Sequence, residues 1–218
     1  MTHEFDRNYW DDVWAGGGGA DRAASMAGSP PNPHLVREVD GLRPGTAIEA
    51  GCGAGAEAIW LAGQGWQVTA VDIAAGALEH AARRAAAAGV DERILWIRED
   101  LATWEPEGRF DLVTTHYAHP AIPQLDFYER IAGWVAPGGT LFIVGHLHHD
   151  GHGNGGHGHG HHSHPPAEAS ATAGAISHRL DPEKWEIVTA EEGSRDMPGP
   201  GGRGVTVHDV AVRVIRRG

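Results

Sequence analysis

Apolar residues recur along this chain in two alternating rhythms. Short, continuously apolar runs fall at Thr46-Ala47-Ile48, Trp66–Val71, Ile94–Ile97, Phe110–Thr115 and Thr140–Gly145. Runs of that length, rich in branched and aromatic residues, predict strands buried on both faces. Between them lie segments with helical spacing: 56–62, the alanine-rich 76–88, and 125–136, where Phe127, Ile131, Trp134 and Val135 define an inner face. Gly63–Gly65, Gly89 and Pro137-Gly138-Gly139 punctuate the changes of rhythm. Strands alternating with helices predict an α/β architecture with a parallel sheet. Upstream, Tyr9, Trp10, Val13 and Trp14 give residues 5–14 an amphipathic helical pattern, and Leu35, Val36, Val39 and Leu42 give 34–42 another. Downstream, Trp185–Ala190 and Val205–Ile215 predict two more strands, joined by a Gly/Pro loop from Gly193 to Gly204. The second has apolar residues on both faces of its later half, as an interior strand requires.

Composition narrows what such a sheet does. With 218 residues the chain has the size of one domain with a single sizeable core. A net charge of −12 argues against non-specific affinity for nucleic acid or anionic membrane. The single cysteine, Cys52, excludes an intramolecular disulfide and fits a reducing, cytoplasmic setting. No apolar run reaches spanning length, and residues 1–14 are acidic and aromatic rather than leader-like. The expectation is a soluble cytoplasmic protein. Residues 15–33, rich in Gly, Ala, Ser and Pro, read as a connector. We therefore divide the chain into an N-terminal helical flap and linker, 1–43, and a main domain, 44–218.

The candidate chemistry starts at Glu49-Ala50-Gly51-Cys52-Gly53-Ala54-Gly55, between the first strand and the first helix of the domain. Alternate glycines let the backbone turn sharply and approach a ligand closely. The following helix presents free N–H groups and the positive end of its dipole. Read as G-x-G-x-x-A, the stretch is also a weak dinucleotide fingerprint. Glu49, at the strand end, opposes that reading because it would repel a pyrophosphate and attract an ammonium. S-adenosylmethionine (SAM) carries an ammonium and no phosphate. Asp72, at the tip of the second strand, lies about 20 residues further on, where a ribose-binding carboxylate belongs. Ile73 follows it, placed against the adenine.

The pattern Glu49-x-Gly51-x-Gly53-x-Gly55 resembles motif I of the class I SAM-dependent methyltransferases. The Tyr9-Trp10-Asp11 stretch and the Pro137-Gly138-Gly139 turn are similar to features that recur there, and the short N-terminal segment resembles the tellurite-resistance and thiopurine methyltransferase-like group. The resemblance implies a Rossmann-like fold: a seven-stranded, mostly parallel sheet with helices on both faces, built from successive β–α units, its last strand antiparallel between the fifth and sixth. It implies SAM as cofactor. Asp100, with Glu99 as the alternative, would accept the adenine amino group, and the backbone of Leu101 would meet the ring. It also implies a small-molecule acceptor methylated on O, N, S or a metalloid. Nothing like the Asn/Asp-Pro-Pro-Tyr signature of amino-methylating DNA enzymes follows the fourth strand, which with the acidity argues against nucleic acid.

His116, Tyr117 and His119 follow that strand, on the side where an open parallel sheet holds its ligands. Imidazoles there are candidate general bases, and the phenol a candidate group for orienting an acceptor. A separate feature is the His/Gly-rich insertion at 146–166, with nine histidines between His146 and His164. Its composition predicts no packed structure. His-x-His pairs such as His146/His148 and His157/His159 are candidate ligands for a divalent metal such as Zn or Ni. Two rival classes follow: a metal-binding or metal-responsive protein, and an NAD-dependent oxidoreductase, the latter opposed by Glu49 and Asp100.

Overall fold

The structure is a computed structural model that describes residues 5–16, 28–147, 170–198 and 204–218. Its frame is one seven-stranded sheet in the order β3-β2-β1-β4-β5-β7-β6. The strands are β1 (Thr46–Ala50), β2 (Gln67–Asp72), β3 (Ile94–Arg98), β4 (Phe110–His116), β5 (Val135–His146), β6 (Trp185–Pro198) and β7 (Gly204–Arg216). β1 to β5 pair in parallel, and β7 lies antiparallel between β5 and β6. This is the Rossmann-like arrangement implied by the motif, including the interior place of the last strand. The helices are α1 (Arg7–Trp14), α2 (Pro33–Val39), α3 (Ala56–Gly63), α4 (Ala75–Ala88), α5 (Gln124–Ala132) and α6 (Ala173–His178).

Neighbouring residues of each strand feed two different cores, as the alternation of side chains across a strand demands. Ile48, Val71, Val113 and Ile143 pack with Phe127 and Ile131 of α5 and Ile176 of α6. Ala47, Ala70, Leu112 and Phe142 pack with Leu35 of α2, Leu61 of α3 and Leu78 of α4 on the other face. Burying both faces is what makes these strands read as unbroken apolar runs.

Four elements differ from the sequence expectation. α5 ends at Ala132, so Trp134 and Val135 are buried outside it, and Val135 opens β5. α2 covers Pro33–Val39 and stops short of Leu42, Asn32 capping its start by accepting from the His34 N–H. The β3–β4 connection, residues 99–109, is a loop rather than the helix of a β–α unit. The expected loop from Gly193 is strand as far as Pro198, and the pairing runs unbroken in sense from Trp185↔Arg216 to Pro198↔Gly204. Gly and Pro signalled a turn there, but the ladder to β7 supplies backbone partners that override local propensity. Residues 199–203, and residues 148–169 of the His-rich tract, lie outside the described residues.

Candidate active site

Strand order reverses between β1 and β4, so the segments after these two strands flank a crevice at the carboxyl end of the sheet. The glycine turn forms one lip. Gly51, Gly53 and Gly55 all have positive φ (80°, 48° and 74°), a region that disfavours any Cβ. At Gly51 a Cβ would also stand 2.3 Å from the Ala118 Cβ of the opposite lip, and at Gly55 one would meet Trp96 and Ala81. The glycines are therefore required by close approach as well as by conformation. Gly55 is the residue before α3, whose N-terminus opens toward the crevice.

The crevice holds a cavity of about 440 Å³. Gly51, Gly53, Asp72, Ile73, Asp100 and Leu101 line one end. Asp72 is fixed by two backbone donors, Gly53 N–H at 2.8 Å and Ala74 N–H at 2.9 Å. Each oxygen keeps a second lone pair for a ligand hydroxyl. Asp100 accepts from Ala102 N–H at 2.9 Å through one oxygen only. Trp10 and Trp14 of α1 add aromatic walls, with Trp10 Nε1–H donating to the His119 carbonyl at 3.3 Å. Asp11 of the same helix accepts from Arg98 at 3.0 Å and from Ala75 N–H at 3.3 Å. These contacts seat α1 over the glycine turn.

The acidic residue of the motif is placed differently from its reading as a direct ammonium partner. Glu49 is fully buried and does not line the cavity. Its Oε1 lies 2.9 Å from His116 Nδ1, while its Oε2 has no partner. The carboxylate that does reach the cavity is Glu57 on α3, held by Asn32 N–H at 3.0 Å. Glu57 was not singled out in the sequence; its place two residues after Gly55, on the first turn of the helix, was the available signal. Ligand atoms of Glu49, Glu57 and His116 all lie within 4.8 Å of one another, a spacing that suits a cation. Burial pushes both carboxyls above the usual range and brings His116 down to about 4. Loss of solvation, which disfavours the charged form of each group, accounts for all three directions, and the charge of Glu57 opposes the shift of His116.

The far end of the cavity is built from distant parts of the chain. Tyr117, the one non-glycine residue with positive φ (54°) among the described residues, donates its hydroxyl to Asp209 at 2.7 Å and accepts from Arg195 at 2.9 Å and Asn32 at 3.3 Å. Arg195 also pairs with Asp209 at 2.5 Å, and His34 stands 3.4 Å from the same carboxylate. The Tyr117 phenol is thus committed to a structural network, and burial with the Asp209 charge pushes its acidity well out of reach at neutral pH. His119 is buried with Nδ1 against Gln124 Oε1 at 3.2 Å, and its ring stacks on His146 with centroids 5.2 Å apart. His146 is the final residue of β5 and lines the cavity. Burial, reinforced by His119, lowers it to about 4. It belongs to this wall, apart from the tract whose His148, His157 and His159 lie outside the described residues.

Fold and crevice together define a Rossmann-like α/β domain with a ligand crevice at the switch point of its sheet. Residues 47–139 match the family described as "Methyltransferase domain". A ribosomal RNA small subunit methyltransferase C from Alcanivorax borkumensis is 35% identical over 48% of this chain and 33% of its own length. A probable thiol methyltransferase 2 from Arabidopsis thaliana is 28% identical over 61% of this chain and 58% of its own. The chain thus spans between a third and three fifths of these relatives. Among solved structures, magnesium protoporphyrin IX methyltransferase from Synechocystis PCC 6803 with bound SAM superposes with a TM-score of 0.65 over 99% of both chains at 17% identity, a likeness of fold. The similarity is to proteins whose names give three unrelated acceptors.

Proposed function

We propose that this protein is a SAM-dependent methyltransferase acting on a small-molecule acceptor at an O, N or S atom or a metalloid. One observation carries the reading: a single cavity is bounded at once by a glycine turn, by carboxylates at the tips of β2 and β3, and by the imidazole that ends β4. Those residues fit an adenosine-bearing cation. Asp72 keeps lone pairs for ribose hydroxyls, Asp100 keeps one free oxygen for the adenine amino group, and Ile73 and Leu101 supply apolar surface for the ring. Glu57, the carboxylate that reaches the cavity from α3, offers the partner an ammonium needs. When bound, SAM supplies an electrophilic methyl on a sulfonium, already activated for displacement. The chain's part is to align the acceptor and keep water out. Trp10, Trp14 and Phe5 cover the cavity, and His116, the terminal residue of β4, faces it.

A small acceptor is favoured by the modest cavity, by the relationship to a thiol methyltransferase, and by the charge of −12, which disfavours a polyanion. The buried, free Cys52 suits the cytoplasm, and no helix among the described residues is long and apolar enough to cross a membrane.

Titration calorimetry with S-adenosylhomocysteine (SAH) and, in parallel, NAD tests this reading. Micromolar SAH binding by the wild type, lost in Asp72→Ala, is expected. NAD binding without SAH binding would overturn it.

A further inference from the structure

Two polar atoms of one side-chain pair are buried without a hydrogen-bond partner: Glu49 Oε2 and His116 Nε2. Unsatisfied buried polar atoms are rare enough to demand a reason. Glu49 Oε1 and His116 Nδ1 are joined at 2.9 Å, so the ring's other nitrogen, Nε2, is the atom left to act. His116 lines the cavity and Glu49 does not. The carboxylate is fully buried on β1, beside Thr114 of β4, and the imidazole is braced edge-on by Phe142 of β5 at 5.8 Å between ring centroids. Both side chains are therefore held by the sheet itself, with no loop in the linkage.

We propose that Glu49 is a positioning residue which takes the Nδ1–H of His116 and so leaves Nε2 as a bare base for an acceptor that still carries its proton. The inference rests on the methyltransferase reading and names its substrate class: a neutral thiol, phenol or N–H acid rather than a pre-formed anion. In the step, the acceptor atom forms its bond to the methyl carbon, and the carbon–sulfur bond breaks with its electron pair left on sulfur. The acceptor's proton passes to His116 Nε2 and later to solvent. Glu49 then faces an imidazolium, the arrangement that makes a buried carboxylate favourable rather than costly.

The charged and titratable groups around the pair bear on this. Glu57 of α3 faces His116 and favours its protonated form, while His34 of α2 opposes it. Burial disfavours net charge in the free protein, where the neutral pair is a protonated Glu49 carboxyl against Nδ1 with the ring proton on Nε2. A ligand ammonium beside Glu57 favours release of one proton to solvent, leaving the carboxylate, Nδ1–H and a bare Nε2, so that form belongs to the cofactor-bound state.

The test is the tautomer of His116, read by long-range ¹H–¹⁵N NMR of the wild-type protein saturated with SAH, with Glu49→Gln and Glu49→Asp alongside. The expected result is Nδ1 protonated and Nε2 bare in the wild type between pH 6 and 8. Glu49→Gln should lose that bias and Glu49→Asp should keep part of it, while the affinity of Glu49→Gln for SAH by calorimetry stays within about threefold of wild type. A protonated Nε2 in the wild-type complex would overturn the proposal. So would a tenfold or greater loss of SAH affinity in Glu49→Gln, which would make Glu49 a cofactor ligand. If the wild type binds no SAH, the methyltransferase reading itself falls and the base assignment with it. The wild-type tautomer decides the matter even if both variants fail to fold.

Discussion

The two ends of the cavity are built by different means. At one end, Asp72 closes β2, Asp100 follows β3 and the glycine turn follows β1 directly, and all three line the ligand space. The residues involved, Gly51 to Leu101, form one continuous stretch. At the other end, Asn32, Tyr117, His146, Arg195 and Asp209 meet from α2, β4, β5, β6 and β7. The first end is held by backbone geometry and close packing. The second is held by a side-chain network around the buried Asp209. The contrast bears on the proposed function: a cofactor suits a rigid local cradle, whereas an acceptor pocket assembled from side chains can change by substitution without disturbing the strands.

That contrast can be broken. The largest effect is expected at Gly51, where an added Cβ would stand 2.3 Å from Ala118 and the φ of 80° is itself strained for alanine. Gly51→Ala should abolish SAH binding and cost about 3 kcal/mol, lowering Tm by roughly 6–12 °C in a scanning calorimeter. Asp72→Ala should weaken SAH about 100-fold, equivalent to about 2.7 kcal/mol, with the fold retained in circular dichroism. Glu57→Gln should weaken SAH about tenfold and leave the Asn32 contact in place. Its sign with pH is also fixed. Burial raises the Glu57 carboxyl, so the folded state holds a proton that the unfolded state has lost once the pH passes the ordinary carboxyl range. Stability is full below that range and falls as pH rises toward the raised value. Melting curves from pH 4 to 8 should therefore fall less for Glu57→Gln than for wild type. The smallest effect on the cofactor is expected from Arg195→Gln: SAH affinity within about threefold, but a Tm lower by roughly 2–6 °C because Asp209 loses its guanidinium. A large loss of SAH affinity there would erase the distinction between the two ends.

The same division explains what the sequence made legible. The strands, the glycine turn and Asp72 follow from periodicity and short spacings, whereas the strand order and the place of Asp100 were implied by the resemblance to a known family; the glycine turn and both acids sit in the cavity wall. Glu49 was visible as an acid at a strand end, but its partner, His116, lies on another strand, and only the pairing of β1 with β4 brings the two together. Tyr117 drew attention as a polar aromatic after a strand, yet its role depends on Arg195 and Asp209, which nothing in the local sequence marks. The extended β6–β7 hairpin was hidden behind Gly193 and Pro198, because a ladder of backbone hydrogen bonds is a property of two segments and not of either one.

The interior position of β7 has a consequence for how the protein is made. On the ribosome, β1 to β5 emerge first, and the edge of β5 that β7 will cover has no strand beside it until β7 follows. At roughly 5–20 residues per second, the interval between completing β5 and completing β7 lasts several seconds. Through that interval a nascent chain carries the glycine turn and the tips of β2 and β3 next to an open, apolar strand edge, the kind of surface that pairs with other chains. Termination before Asp209, where the pairing with β5 begins, would leave that edge without its partner strand.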